Sequence, residues 1–215
     1  MPVRKIPKSF RAVTGRFPSR INGNKCIGYE SSLEHDNYLT FEFDRTIKRY
    51  EEQPIKVPGT YKGKVVNYFP DCLVTYLQDR KMSLLEFKYE EEYKTMSDEL
   101  KAKIARLEEF ASENNMVFEV RTEAVLDEIV LANYRLLYHH LKPPLGIDFK
   151  RSKILNVLIE KGPLTIKEVL NSLADHQTEQ ANYTRSIWHL LFTGEIEADL
   201  SRPLLNNPVI RIPHG

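Results

Sequence analysis

The sequence predicts an α/β core with a mixed β-sheet, followed by a small domain of three helices and a β-hairpin. Runs rich in β-branched and aromatic residues alternate with amphipathic helical patterns over residues 29–145. The Pro-Pro-Leu-Gly stretch at 143–146 predicts a domain boundary. Short helical patterns with capping signals follow it, and two strand-like runs close the chain.

The elements of the core follow from local signals. A helix is predicted from about residue 32 to residue 44, because Ser31 and Glu34 have the spacing of a capping box. One strand or two are then predicted over 47–57, and further strands over 61–69, 72–77 and 82–89. A helix after Ser97, a strand over 117–121 and a helix from Thr122 to about residue 138 complete the core, whereas residues 1–28 are predicted to be irregular. The strand-helix-strand order predicts that the strand over 117–121 is parallel to the strand over 82–89.

Two short motifs carry the functional signal. Pro70 cannot donate a hydrogen bond to a neighbouring strand, so Asp71 is expected to project where the strand pairing is interrupted. Side chains two apart share a face of a strand, so Glu86 and Lys88 point one way and Phe87 the other. The short polar link between the two strands predicts antiparallel pairing, which would make Asp71 and Glu86 neighbours.

These residues predict metal-dependent hydrolysis of a phosphodiester. Two carboxylates suit Mg²⁺, which also takes phosphate oxygens and waters as ligands. The metal would polarise the phosphorus and lower the pKa of a bound water, and Lys88 would stabilise an anionic transition state. The alternative is a solvated strand with alternating charges, because both motifs also occur by chance. For Glu34 the alternative is a purely capping role.

Composition excludes several classes of protein. The chain has 215 residues, is 41% hydrophobic, and contains no apolar run near the roughly 18 residues of a membrane span. No apolar segment follows the basic first residues, so no secretory signal is expected. The two cysteines are expected to be free thiols in a reducing cytoplasm, and the six histidines lack cysteine companions at zinc spacing. No glycine-rich phosphate loop occurs, so no nucleotide cofactor is expected.

Charge is unevenly distributed although the net charge is only +1. Residues 1–29 carry seven basic and no acidic side chains, and residues 30–148 carry 16 basic and 23 acidic side chains. A basic arm over residues 1–28 is therefore a candidate phosphate contact, with a solvating tail or a protein-docking arm as the alternative. The candidate DNA contacts of this basic region are Arg4, Lys5, Lys8, Arg11, Arg16 and Arg20.

The carboxyl-terminal domain, residues 146–215, has the element order of a winged helix, whose third helix usually enters the major groove of DNA. That helix is predicted over about 178–194. Its polar residues could face DNA, and they are Gln180, Asn182, Arg185, Ser186 and His189. The segment is nearly neutral and winged helices also dock proteins, so a structural or partner-docking role stays open.

The order of these motifs resembles the PD-(D/E)xK nuclease pattern and, more narrowly, the TnsA-type endonuclease subunit of heteromeric transposases. The resemblance covers most of the chain and rests on Glu34 in a helix, the strand over 52–57, Phe69-Pro70-Asp71 and Glu86-Phe87-Lys88. It implies a restriction-endonuclease-like domain over residues 29–145, followed by a winged-helix-like domain. Some family members carry glutamine at the position of Glu86, where glutamate is the ordinary nuclease form.

The resemblance also implies a site and a reaction. Glu34, Asp71, Glu86 and Lys88 would be catalytic, and Mg²⁺, replaceable by Mn²⁺, would bind to the three carboxylates and to the backbone carbonyl of Phe87. The reaction would be cleavage at the 5′ ends of a mobile element in the bacterial cytoplasm. The partners would be double-stranded DNA at the transposon ends, a DDE-type transposase that acts on the 3′ ends, and an ATP-dependent transposition regulator.

Two other functions stay open at this point. One is a non-catalytic DNA-binding or scaffolding protein that uses the basic arm and the winged helix. The other is a stand-alone restriction or repair nuclease with the same core, which would cut DNA without a transposase.

Overall fold

The computed structural model describes residues 13–213, which form two compact units divided between Leu126 and Asp127. The helix over Glu128–Tyr138, which the sequence analysis placed in the first domain, groups with the second unit. The predicted domain bounds of 29–145 and 146–215 remain a prediction. Within residues 13–213, no helix is both long enough and apolar enough to cross a membrane.

The first unit is built around a mixed β-sheet. Its elements are β1 (Gly15–Ser19), β2 (Lys25–Tyr29), α1 (Ser32–Phe43), β3 (Ile47–Glu52), β4 (Val57–Tyr61), β5 (Lys64–Tyr68), β6 (Cys72–Tyr76), β7 (Ser83–Phe87), α2 (Glu90–Lys94), α3 (Asp98–Glu113) and β8 (Val117–Arg121). The central sheet has the order β3-β6-β7-β8. β3, β6 and β7 are antiparallel neighbours, and β8 is parallel to β7 across the connection through α2 and α3. The mixed sheet with its helices confirms the predicted restriction-endonuclease-like α/β fold.

Helices α1 and α3 supply two separate parts of the core. Tyr38 of α1 is fully buried, stacks on Tyr50 of β3 at 5.4 Å, and meets Phe87 of β7 edge-on at 5.7 Å. Leu107 of α3 packs in a second cluster that includes Leu84 of β7. All five residues of β7 are buried, so this strand is fixed from both sides and can hold functional side chains rigidly.

The amino-terminal segment differs from its prediction. Strands β1 and β2 form an antiparallel hairpin where irregular structure was expected. Gly23 and Asn24 take positive φ angles of 69° and 61° in its turn, which these two residue types tolerate best. The buried carboxylate of Glu42 in α1 then accepts hydrogen bonds from Ser19 and from the backbone of Arg20. This long-range anchor has no signal in the local sequence.

The helix predicted from Thr122 also differs. A short 3₁₀ turn covers Glu123–Val125, and the α-helix begins only at Glu128. The carboxylate of Asp127 accepts hydrogen bonds from the backbone N–H groups of Ile129 and Val130, so it caps the helix more completely than Thr122 could.

The second unit combines four α-helices with a small sheet. Its elements are α4 (Glu128–Tyr138), α5 (Ile147–Lys161), β9 (Leu164–Thr165), α6 (Ile166–Leu173), α7 (Gln177–Thr193), β10 (Glu197–Ala198) and β11 (Val209–Arg211). The sheet is antiparallel in the order β10-β11-β9. Thr165 and Glu168 form a capping box at the start of α6, and α7 ends at Gly194 with a φ of 72°. This element order is compatible with the winged helix, which remains a prediction.

Candidate active site

The antiparallel pairing of β6 with β7 brings the two sequence motifs together. Cys72 lies opposite Leu85, and the backbone N–H of Asp71 donates to the carbonyl of Leu85 at 3.0 Å. The backbone N–H of Phe87 donates to Oδ2 of Asp71 at 2.8 Å. This register confirms the predicted antiparallel pair and places the carboxylate of Asp71 beside the strand that carries Glu86.

The ammonium group of Lys88 lies among three oxygen atoms of the site. Its Nζ is 2.9 Å from the carbonyl oxygen of Phe87, 3.0 Å from Oε1 of Glu86 and 3.9 Å from Oδ2 of Asp71. The side chains of Lys88 and Asp71 are 19% and 17% exposed, so both reach the protein surface. Asp71, Glu86 and Lys88 therefore share one site, as the sequence analysis expected.

Glu86 is fully buried and is contacted by a second lysine. Nζ of Lys103, from α3, lies 2.5 Å from the same Oε1 atom that Lys88 contacts. Sequence reasoning missed Lys103. It lies three residues after Leu100 and four before Leu107, on the apolar face of α3, and this spacing could have indicated a partly buried lysine. The spacing could not have named Glu86 as its partner.

The charges of this cluster perturb one another. Burial and the negative charge of Glu86 raise the pKa of Asp71 to about 7, against the opposing effect of Lys88 and Lys103. Burial lowers the pKa of Lys88, but the nearby carboxylates of Asp71 and Glu86 outweigh it and the pKa is raised overall. Such a set of mutually perturbed groups is typical of a functional site.

Glu34 caps α1 and also belongs to the electrostatic environment of the site. Its Oε2 accepts from the backbone N–H of Glu30 at 2.9 Å, and its Oε1 accepts from the hydroxyl of Ser31 at 3.0 Å. Burial raises the pKa of Glu34, whereas hydrogen bonds from Glu30 and Ser31 and the charge of Lys88 lower it. The capping role is therefore present, and the catalytic role of Glu34 stays a prediction.

The backbone of Asp71 is held by two residues that the sequence analysis did not single out. Its carbonyl oxygen accepts from the backbone N–H of Gln53 at 3.0 Å and from the phenol of Tyr38 at 3.2 Å. Gln53 has a φ of 40°, and its side-chain amide donates to Glu30 at 3.1 Å. These bonds fix the position from which the Asp71 carboxylate projects.

The oxygen atoms around Lys88 are chemically suited to a divalent cation. Two carboxylates and a backbone carbonyl are hard ligands of the kind that Mg²⁺ prefers, and the ammonium of Lys88 shows that the position stabilises positive charge. Oε2 of Glu86 is buried and has no hydrogen-bond partner among residues 13–213. Asp71, Glu86 and the Phe87 carbonyl therefore fit a metal ion.

Three acidic, histidine or cysteine side chains grouped to hold a metal do not occur within residues 13–213. Glu34 thus does not complete a three-carboxylate group with Asp71 and Glu86 in this geometry. Its predicted place among the metal ligands stays a prediction.

Comparison with protein families identifies the family to which the chain belongs. The family described as TnsA-like endonuclease N terminal matches residues 44–123, and the family described as TnsA endonuclease C terminal matches residues 126–200. The chain belongs to the TnsA-type endonuclease family. The first match contains Asp71, Glu86 and Lys88, whereas Glu34 precedes it. Comparison with curated proteins found no match.

Family membership makes the chain a nuclease-type subunit of a Tn7-like transposition system, and the family works on DNA beside a transposase. It also favours a divalent metal, without naming the ion. The resemblance stated from the sequence is confirmed at this level.

The predicted DNA contacts of the basic region are only partly described. Arg4, Lys5, Lys8 and Arg11 lie outside the described residues. Arg16 is exposed and lines a cavity of about 730 Å³, which we call the basic cavity. Its other basic lining residues are Lys25, Lys48 and Arg49, while Glu51 and Glu52 also line it and Glu51 pairs with Arg49 at 3.5 Å. The guanidinium group of Arg20 donates to the carbonyl oxygen of Glu42 at 3.3 Å, while its side chain stays exposed.

The predicted DNA contacts of α7 divide into two groups. Asn182 and Arg185 are exposed, whereas Gln180 donates to the carbonyl of Ala174 and to the side chain of Asn171. Ser186 and His189 are buried, and Nδ1 of His189 lies 2.8 Å from the carbonyl oxygen of His140. This burial corrects the expectation that Ser186 and His189 could face DNA.

Proposed function

We propose that this chain is a divalent-metal-dependent endodeoxyribonuclease that hydrolyses DNA at the 5′ ends of a mobile element. The convergence of Asp71, Glu86 and Lys88 on one partly exposed site is the observation that carries the proposal. A DDE-type transposase acting on the 3′ ends and an ATP-dependent regulator are the proposed partners, in a bacterial cytoplasm.

Each residue of the site has a distinct proposed role. Asp71, Glu86 and the carbonyl of Phe87 would hold Mg²⁺ or Mn²⁺, with Glu34 as a further ligand. When bound, the metal polarises the phosphodiester and lowers the pKa of the attacking water. Lys88 stabilises the negative charge that develops on the phosphate oxygens.

The protein supports this chemistry by fixing Asp71 before substrate arrives. The N–H of Phe87 orients its carboxylate, and Tyr38 and Gln53 hold its carbonyl. A ligand held in place in advance loses little entropy when the metal and DNA bind. The site residues lie on the buried strand β7 or next to it, and this strand holds them more rigidly than a loop would.

DNA would be held by basic residues of both units. The basic cavity offers four cationic side chains for backbone phosphates, and the exposed Asn182 and Arg185 support contact of α7 with DNA or with a protein partner. The four predicted contacts within residues 4–11 are proposed to bind backbone phosphates in the same way.

The test is strand-specific cleavage of transposon-end DNA with the transposase and regulator present. Asp71→Asn and Lys88→Met should each reduce 5′-end cleavage by about 100-fold or more, because the first weakens metal binding and the second removes the charge that stabilises the transition state. Circular dichroism and assembly with the transposase should be unchanged. Lys81→Met, which alters an exposed lysine just before β7, is the matched control and should cut normally.

Equal cleavage by all four proteins would overturn the assignment of these residues. An absence of cleavage by the parent protein with Mg²⁺, Mn²⁺ and all partners would favour the scaffolding function. Cleavage by the parent protein alone would favour a stand-alone nuclease.

A further inference from the structure

Lys103 makes a contact that the proposed reaction does not explain. Its Nζ lies 2.5 Å from Oε1 of Glu86, the oxygen that Lys88 approaches at 3.0 Å. One fully buried carboxylate oxygen therefore has two ammonium groups, while the other oxygen has no partner within residues 13–213. Lys88 is already assigned to the transition state, so Lys103 needs a separate role.

Charge balance indicates what that role is. Asp71 and Glu86 contribute two negative charges, and Lys88 and Lys103 contribute two positive charges. A divalent cation bound to the same carboxylates would add two positive charges within a few ångströms of both lysines. In a poorly solvated site these like charges repel one another strongly. At least one ammonium group is therefore expected to leave the site when the cation binds.

Lys103 has a place to move to. It lines a cleft of about 430 Å³ together with Glu92 and Glu99. Glu99 precedes Lys103 by four residues on α3, the spacing at which glutamate and lysine form an ion pair on a helix surface. Lys88 also contacts the proposed ligands Asp71, Glu86 and the Phe87 carbonyl, so its ammonium group shifts too when a cation binds. Its proposed role nevertheless keeps it beside the reacting phosphate, whereas Lys103 has no such role.

We propose that Lys103 is a displaceable counter-ion of the metal site. It holds the carboxylate of Glu86 in the metal-free protein, leaves that carboxylate when a divalent cation binds, and then pairs with Glu99 in the adjacent cleft. Because the cation has to displace Lys103, the lysine raises the metal concentration at which the site fills. This inference rests on the metal site of the proposed function. It adds a residue that sets the metal concentration at which that site fills.

Calorimetric titration of the full-length protein with Mn²⁺ tests the proposal without relying on cleavage. Lys103→Met should tighten Mn²⁺ binding by about tenfold, because no ammonium group has to be displaced. Lys101→Met removes the same charge from an exposed position on the same helix and should leave the affinity at the parent value. The parent protein with Asp71→Asn should bind Mn²⁺ more weakly than the parent.

Unchanged or weaker Mn²⁺ binding by Lys103→Met would overturn the proposal, since a residue that only positions Glu86 would weaken binding when removed. If the parent and Asp71→Asn bind Mn²⁺ equally, the metal site itself is wrong and the proposed function fails with it. These two results are distinguishable because the second appears without any change at Lys103.

A second variant covers the case in which Lys103→Met does not fold. Glu99→Gln leaves Lys103 and Glu86 intact and removes only the destination of the released lysine. It should weaken Mn²⁺ binding about twofold. Glu108→Gln, an exposed glutamate elsewhere on α3, serves as its control. An affinity for Mn²⁺ that is equal in Glu99→Gln and Glu108→Gln would contradict the proposed movement.

Discussion

Tyr38 connects the core of the first unit to the candidate active site through a single hydroxyl group. Its ring is fully buried against Tyr50 and Phe87, and its hydroxyl donates to the carbonyl oxygen of Asp71. Burial raises the pKa of this phenol well above its usual value, so the group stays protonated and acts as a donor. The contact makes the position of Asp71 depend on the packing of α1.

Tyr38→Phe should therefore lower both stability and activity. Loss of one buried hydrogen bond costs about 1 kcal/mol of unfolding free energy, measured by urea denaturation. Cleavage of transposon-end DNA should fall several-fold only, because the N–H groups of Gln53 and Phe87 still hold Asp71.

Tyr50→Phe is the matched control for that prediction. Tyr50 is equally buried, but its hydroxyl donates to Glu42, away from the carboxylates of the site. It should show a similar loss of stability with unchanged cleavage. Equal loss of cleavage in both variants would mean that Tyr38 acts only through general stability.

The site residues differ in how far they could be predicted from the sequence. The sequence predicted Asp71, Glu86 and Lys88 because each belongs to a short motif on neighbouring predicted strands. The alternation of side chains along a strand then gave their directions. Lys103 and Gln53 were not, because their roles depend on which element packs beside them. A lysine on an apolar helix face indicates burial, but only the packing of α3 against β7 supplies Glu86 as its partner.

Among the elements, the β4–β5 hairpin shows how local turn chemistry stabilises the first unit. Tyr61 pairs with Lys64, so the loop contains only Lys62 and Gly63, with φ angles of 49° and 74°. Val57 and Tyr68 from its two strands join the hydrophobic cluster that includes Leu107 of α3. The turn thus fixes two strands that support the helix carrying Lys103.

Substitutions in this turn should have opposite effects. Gly63→Ala should destabilise the protein by about 1 kcal/mol through backbone strain alone, since no heavy atom lies within 4 Å of the added Cβ. Lys62→Asn creates the Asn-Gly pair that two-residue hairpin turns favour, and should stabilise it by about 0.5 kcal/mol. Thermal denaturation measures both. A stabilising Gly63→Ala would show that the turn does not require positive φ.

Elements bounded by capping or turn residues were predicted well, whereas elements stabilised by residues distant in the sequence were not. The capped start of α1, the crossover that makes β8 parallel and the close of α7 at Gly194 all follow from nearby residues. The β1–β2 hairpin was missed because its support is Glu42, more than twenty residues further along the chain.

At the scale of the whole molecule, the net charge is low for a protein proposed to bind DNA. The chain, which we propose cuts DNA, carries a net charge of only +1, and its residues 30–148 have more acidic than basic side chains. The basic cavity gathers cationic side chains within the first unit. We therefore expect the isolated chain to bind DNA weakly and with strong dependence on salt.

Removing charge from the basic cavity should weaken DNA binding more than removing it elsewhere. The double change Lys25→Ala with Lys48→Ala should lower affinity and reduce the slope of log affinity against log salt by about 2, as measured by fluorescence anisotropy. The control changes Lys62→Ala and Lys64→Ala, which remove two exposed charges from the β4–β5 hairpin. An equal loss in both doubles would indicate an effect of net charge alone.

The two cysteines, which are the only ones in the chain, differ sharply in accessibility. Cys72 is fully buried beside Asp71, and burial raises the pKa of its thiol well above the usual value, so it offers almost no reactive thiolate. Cys26 is exposed and lines the basic cavity. The natural sequence therefore already provides a single attachment point for a fluorescent label, located where an approaching nucleic acid would change its emission.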